Sequence, residues 1–226
     1  MTVSDNLQII GAKLKQYAEQ YQRNASDIQL LAVSKRHPAN AIREAHQAGQ
    51  KAFGENYVQE LLDKAEQLTD LDIQWHFIGP LQSNKTKSIA AVADWIHTVD
   101  RLKIARRLST QRLDALPPLN ICIQVNVSGE STKSGIIPDE VLSIAKDIAG
   151  LPNLKLRGLM VIPAPENDFS KQRVAFAKTA KLLAELNTVG FDLDTLSMGM
   201  SGDMEAAIAE GATIVRIGTA IFGQRE

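Results

Sequence analysis

The apolar positions of this chain follow two alternating rhythms. Leu7, Ile10, Leu14, Ala18 and Tyr21 recur at helical spacing behind Ser4, which can cap a helix, and the pattern stops at the polar Gln22-Arg23-Asn24. From there short apolar runs alternate with segments of helical period. The runs predict strands at about Leu30 to Ser34, Lys51 to Gly54, Gln74 to Ile78, Trp95 to Thr98, Asn120 to Asn126, Lys155 to Val161, Thr195 to Ser197 and Thr213 to Ile217. Helices are expected at Pro38 to Ala48, Tyr57 to Gln67, Asn84 to Val92, Arg101 to Leu113, Pro138 to Ala149, Ser170 to Val189 and Asp203 to Glu210. Eight strands alternating with helices predict an α/β fold, a single (β/α)8 TIM barrel with an extra N-terminal helix. The short last helix keeps an open, doubly wound sheet as the alternative. No Pro/Gly/Ser-rich linker divides the chain, so one domain over residues 1–226 is expected.

Composition narrows the chemistry. With 226 residues, 44% of them apolar, the chain can bury a sizeable core. Its 25 basic and 26 acidic residues give a formal charge of −1, which provides no bulk attraction for nucleic acid. Any phosphate it binds is expected to be small. Cys122, the single cysteine, lies inside an apolar run, so neither an intrachain disulfide nor a thiolate cluster is available. That fits a reducing, cytoplasmic setting. Neither a secretory leader nor a membrane span is expected, because no basic start precedes an apolar stretch and no run reaches about 18 apolar residues.

In such a barrel the working face lies at the carboxyl ends of the strands. Lys35 stands just after the first strand, where a solvated lysine is the ordinary alternative. The seventh strand runs into Ser197-Met198-Gly199-Met200-Ser201-Gly202-Asp203, small residues ahead of a helix, where open amides can receive an anion or Ser201 can simply cap. The eighth ends Arg216-Ile217-Gly218-Thr219, a second glycine turn, and phosphate sites in these barrels use the loops after strands seven and eight together. Arg216 shares a strand face with Ile214, so it points inward if Ile214 does. Its partner is then either a carboxylate, Glu55 or Asp203, or an atom of a ligand. A lysine, an arginine and a phosphate cradle at one barrel mouth match pyridoxal 5'-phosphate. Lysine binds its aldehyde, the cradle its phosphate, and arginine faces the pyridine nitrogen.

LLAVSK with Lys35, FGENYVQE from Phe53, WHFIGPLQSNK from Trp75, SMGMSGD from Ser197 and RIGTAIFG from Arg216 together resemble the pyridoxal phosphate homeostasis proteins, single-barrel relatives of the alanine racemase N-terminal domain. The resemblance implies that Lys35 carries the internal aldimine, that Ser201, Gly202, Gly218 and Thr219 hold the phosphate, and that Arg216 lies near the ring nitrogen. Asn56 and His76 follow or lie within strands that open onto the same face and are candidate ring contacts, although a satisfied core histidine is the favoured reading of His76. Lys133, in the segment Ser128 to Gly135, is a second candidate for the aldehyde or phosphate if that segment is not simply a surface loop. Gln82-Ser83-Asn84-Lys85 reads as a helix start to which no chemistry attaches.

An arginine opposite the pyridine nitrogen disfavours its protonation and makes the ring a poorer electron sink. Racemisation needs a second acid/base opposite the lysine, and in alanine racemase a tyrosine from a second domain supplies it. No second domain is expected here, and of Tyr17, Tyr21 and Tyr57 only Tyr57 is near the mouth, where packing in the second helix is its ordinary role. The expected function is therefore a carrier that buffers or delivers the cofactor, with apo-enzymes as candidate recipients. An amino-acid racemase of low or specialised activity is the alternative, and a lyase or aldolase using Lys35 without cofactor ranks third. By analogy with the missing domain, a monomer is expected.

Overall fold

Thr2, rather than Ser4, starts the first helix. In the computed structural model, which describes residues 1–127 and 134–224, the Thr2 hydroxyl accepts from the Asp5 amide at 3.1 Å and the Asp5 carboxylate accepts from the Thr2 amide at 2.9 Å. This reciprocal pair satisfies two otherwise orphaned donors and moves the helix start upstream of the expected cap. The helix, α1 (Val3–Gln20), buries Leu7, Ile10, Leu14 and Ala18, the stripe its spacing predicts.

The strands are β1 (Gln29–Val33), β2 (Ala52–Glu55), β3 (Gln74–Phe77), β4 (Trp95–Val99), β5 (Leu119–Gln124), β6 (Leu154–Met160), β7 (Thr195–Ser197) and β8 (Ile214–Ile217). They pair in parallel in chain order, and β8 returns to β1 with Leu31 opposite Arg216 and Ala32 opposite Ile217. The sheet is closed, a (β/α)8 barrel, which disposes of the open alternative. Side chains alternate across each strand. Leu31, Val33, Ala52, Trp95, Cys122, Met160 and Ile214 pack together inside, whereas Ala32, Phe53, Phe77, Ile96, Ile121 and Val215 join the larger core under the helices. Burial on both faces explains why the strands read as continuous apolar runs.

Between strands run α2 (Ala39–Gln47), α3 (Val58–Gln67), α4 (Thr86–Ala90), α5 (Leu102–Gln111), α6 (Pro138–Ala149), α7 (Phe169–Thr188) and α8 (Met204–Ala209), and α9 (Thr219–Phe222) follows β8. The expected helix from Asn84 to Val92 is instead a 3-10 turn, Ser83–Lys85, leading into α4. The α4 segment ends early because the Val92 and Ala93 amides both turn back to the Ile89 carbonyl. Short α8 and α9 leave part of the barrel wall thinly covered. α1 supplies the cover, packing on both, with the Asn6 side-chain amide donating to the Ile221 carbonyl at 2.8 Å. Among the described residues no helix is long and apolar enough to cross a membrane.

Candidate cofactor site

A pocket of about 280 Å³ opens at the carboxyl ends of the strands. Its wall contains Lys35 and Asn56 from the turns after β1 and β2, Ser201 and Gly202 from the turn after β7, and Arg216, Gly218 and Thr219 at the end of β8. The structure thus brings together seven of the nine residues singled out from sequence as candidate contacts. Val33, Ile78, Ile162 and Met200 complete the wall with apolar surface, the usual background for a few placed polar groups.

The turn that carries Lys35 is clamped from behind. Alternation turns Gly54 inward, where a Cβ would meet Leu31 and Ile78, and so turns Glu55 outward toward α3. There the Ser34 hydroxyl and the Lys64 ammonium both donate to Glu55 Oε1 at 2.7 Å, and Lys64 also donates to the Ser34 carbonyl at 2.9 Å. Glu60 receives Lys64 at 2.7 Å and the Arg36 amide at 2.5 Å. Arg36 takes a left-handed φ of 63°, and its guanidinium donates to the Tyr57 hydroxyl at 3.0 Å. Burial pushes the Glu55 carboxyl up against the pull of the Lys64 ammonium. Because Glu55 faces outward to Lys64, it is not the partner that sequence reading offered to Arg216.

Asn56 is seated by a close backbone approach. A Cβ on Gly79 would lie 1.9 Å from the Asn56 carbonyl oxygen, so only glycine allows the two turns to touch. Asn56 Oδ1 is buried on this wall without a hydrogen-bond partner. Such an acceptor calls for a donor from a ligand.

Arg216 is 4% exposed and, among the described residues, forms no ion pair. Nη1 donates to Ser197 Oγ at 2.8 Å and Nη2 to the Val161 carbonyl at 2.9 Å, two of its five N–H groups. Burial pulls its pKa down to about 10, with Asp203 opposing, so it remains a cation at neutral pH. Asp203 instead accepts from the Met200 amide at 2.5 Å and thereby closes the turn after β7. Gly199 has a φ of +93°, and its carbonyl accepts from the Arg216 amide at 3.0 Å, which ties this turn to β8. The amides of Ser201 and Gly202 donate none of the described hydrogen bonds and stand open to an anion.

Residues 9–226 match the family model described as alanine racemase, N-terminal domain. The pyridoxal phosphate homeostasis protein of Pseudomonas aeruginosa is 55% identical to this chain, over 100% of it and 96% of the relative. That of Escherichia coli is 52% identical, over 99% and 97% respectively. The chain belongs to the pyridoxal phosphate homeostasis protein family. PipY of Synechococcus elongatus, in a structure with PLP bound, superposes with a TM-score of 0.85 at 38% identity, covering 98% of this chain and all of PipY, 100%. Alanine racemase from Clostridium difficile superposes at 0.76 with 15% identity over 97% of this chain and 57% of its own, a likeness of fold.

His76 is the satisfied core histidine that the sequence favoured, and its candidacy as a ring contact is set aside. It is fully buried in the barrel, stacked on Trp95 with ring centroids 5.4 Å apart, and does not line the pocket. Both ring nitrogens are engaged inside the barrel, Nδ1 with His97 Nε2 at 2.8 Å and Nε2 with Gln74 Oε1 at 2.9 Å. Tyr57 is not packed into α3 either; it caps that helix, 48% exposed, and borders a separate groove with Gln82 and Lys85. Lys133 and the segment through residue 133 lie outside the described residues. Sequence reading missed Lys64 and His97. Their only signal was a lysine on the helix that follows Glu55 and a histidine one strand over from His76.

Proposed function

We propose that this chain binds pyridoxal 5'-phosphate through Lys35 and buffers or delivers it in the cytoplasm as a monomer, without turnover. One observation carries the proposal: an amine, a buried cation, an orphaned amide oxygen and two open backbone amides converge on one pocket. The residues fit the cofactor. Lys35 would hold the aldehyde carbon, Asn56 the ring hydroxyl, Arg216 the ring nitrogen, and Ser201, Gly202, Gly218 and Thr219 the phosphate. Bound there, the cofactor supplies a reactive carbonyl and an electron-withdrawing ring. The protein's own contribution is to fix the orientation and, through a cationic Arg216, to disfavour a proton on the ring nitrogen. His76 is not among the proposed contacts. That PipY is named as binding PLP and relatives as homeostasis proteins supports the reading.

Catalytic racemisation requires a second proton donor across the pocket from Lys35. Among the described residues that line it, Lys35 and Arg216 are the ionisable ones, and Arg216 keeps its proton at neutral pH. This supports a carrier over an enzyme. Incubating the cofactor-loaded protein with a panel of amino acids in deuterated water separates the two. A carrier gives no exchange at the α-carbon above free cofactor; sustained exchange abolished by Lys35→Ala would establish the racemase. Transfer to an apo-enzyme in the presence of a trap for free aldehyde tests delivery: undiminished transfer supports hand-over, and complete block would leave buffering alone.

A further inference from the structure

Below the pocket, the barrel interior holds a chain of polar side chains that the proposed binding does not itself use. Arg216 Nη1 donates to Ser197 Oγ at 2.8 Å, and Ser197 Oγ lies 2.7 Å from His97 Nδ1. His97 Nε2 lies 2.8 Å from His76 Nδ1, and His76 Nε2 lies 2.9 Å from Gln74 Oε1. Gln74 Oε1 also accepts from Gln29 Nε2 at 2.9 Å. Ser197, His76 and His97 are each 0% exposed, so water does not complete their hydrogen bonds from outside.

The donors of this chain point one way. The guanidinium has only protons to give, so Ser197 Oγ accepts from it and turns its own proton to His97 Nδ1. His97 then carries its proton on Nε2 and donates to His76 Nδ1; His76 carries its proton on Nε2 and donates to Gln74 Oε1, where the chain ends on an acceptor. The opposite direction leaves the buried Ser197 proton without an acceptor and sets an unprotonated His76 Nε2 against Gln74 Oε1, two acceptors face to face. An imidazolium at His97 would strand the same Ser197 proton and add a cation beside Arg216. The other charges near this interior do not favour one: Arg157 lies over Trp95 and is held by Asp194 at 2.7 Å, and Cys122 is a buried thiol.

We infer that Ser197 and His97 are positioning residues for Arg216: a one-directional hydrogen-bond chain, anchored at Gln74, holds the guanidinium at the pocket floor without a carboxylate. A neutral anchor leaves the full charge of Arg216 facing the pocket, whereas a carboxylate partner would offset it. The consequence for the ring nitrogen rests on the proposed binding of pyridoxal phosphate; the direction of the chain does not. Burial pushes His76 down to about 3 and, together with His76 and Arg216, holds His97 well below the usual imidazole range, in keeping with two neutral rings.

Two readouts test this separately. In the cofactor-free protein, nitrogen NMR of the histidines reports the tautomers directly: both rings should carry the proton on Nε2 throughout the neutral and mildly acidic range. A proton on His97 Nδ1 would overturn the inference whatever the protein binds. In the protein loaded with pyridoxal phosphate, Ser197→Ala should shift the pH at which the bound-cofactor absorbance band changes by about one unit, and Ser197→Thr, which keeps the hydroxyl, should restore it. Folded Ser197→Ala and His97→Phe proteins that bind cofactor with an unchanged profile would remove the positioning role. If the wild-type protein shows no such band, the binding proposal falls and the tautomers alone decide the inference.

Discussion

Lys64 shows how much one side chain can hold at this site. It is 5% exposed and joins Glu55, Glu60 and the Ser34 carbonyl, so removing its charge leaves a buried carboxylate uncompensated directly behind Lys35. Lys64→Met is expected to lower stability by about 3 kcal/mol, read from urea unfolding, since breaking a buried pair from one side costs far more than the pair is worth. A loss within error of zero would mean the cluster is not a clamp. Sequence reading could not place Lys64. A lysine on a helix is ordinarily solvated, and only the alternation that turns Gly54 inward sends Glu55 out to meet it. The strand-end residues were legible because position after an apolar run is a property of the chain itself. The pocket's apolar wall was not, because Val33 and Ile78 look like any other core residue until the barrel closes.

At the scale of elements, strands and turns were readable and one coverage problem was not. Strand ends differ from the sequence expectation by at most two residues, since runs buried on both faces have sharp polar borders. The short last helix expected from sequence, Asp203 to Glu210, cast doubt on closure, and the answer lies at the other end of the chain, in α1. Leu14, 6% exposed on the buried stripe of α1, should therefore behave as a core residue of the barrel: Leu14→Ala is expected to cost roughly 3 kcal/mol in denaturant unfolding. A cost below about 1 kcal/mol would make α1 a peripheral appendage. The interior chain of Gln74, His76, His97, Ser197 and Arg216 was beyond sequence reasoning. Its link from His97 to Ser197 spans 100 residues, and nothing local to either marks the other as its partner.

For the whole molecule, two buried neutral histidines set a pH dependence. His76 falls from 6.5 to about 3 on folding, and His97 is lowered as well, chiefly by burial. The unfolded chain therefore binds protons below pH 6.5 that the folded protein does not. The stability associated with the neutral rings is fully present above that pH and is lost as the pH falls toward 3. The expected slope approaches about 1.4 kcal/mol per pH unit for each histidine. Unfolding free energies of the wild type and His76→Gln across this range should differ in slope by one proton; parallel curves would show that His76 is already charged in the folded state.

The central claim, that Lys35 is the residue that holds the cofactor, is open to one direct measurement. The protein is loaded with pyridoxal phosphate, reduced with borohydride, digested and mapped by mass spectrometry. A reduced cofactor adduct on the peptide containing Lys35, absent in Lys35→Ala, is the predicted result. An adduct on Lys133 or another lysine, or one retained in Lys35→Ala, would contradict it.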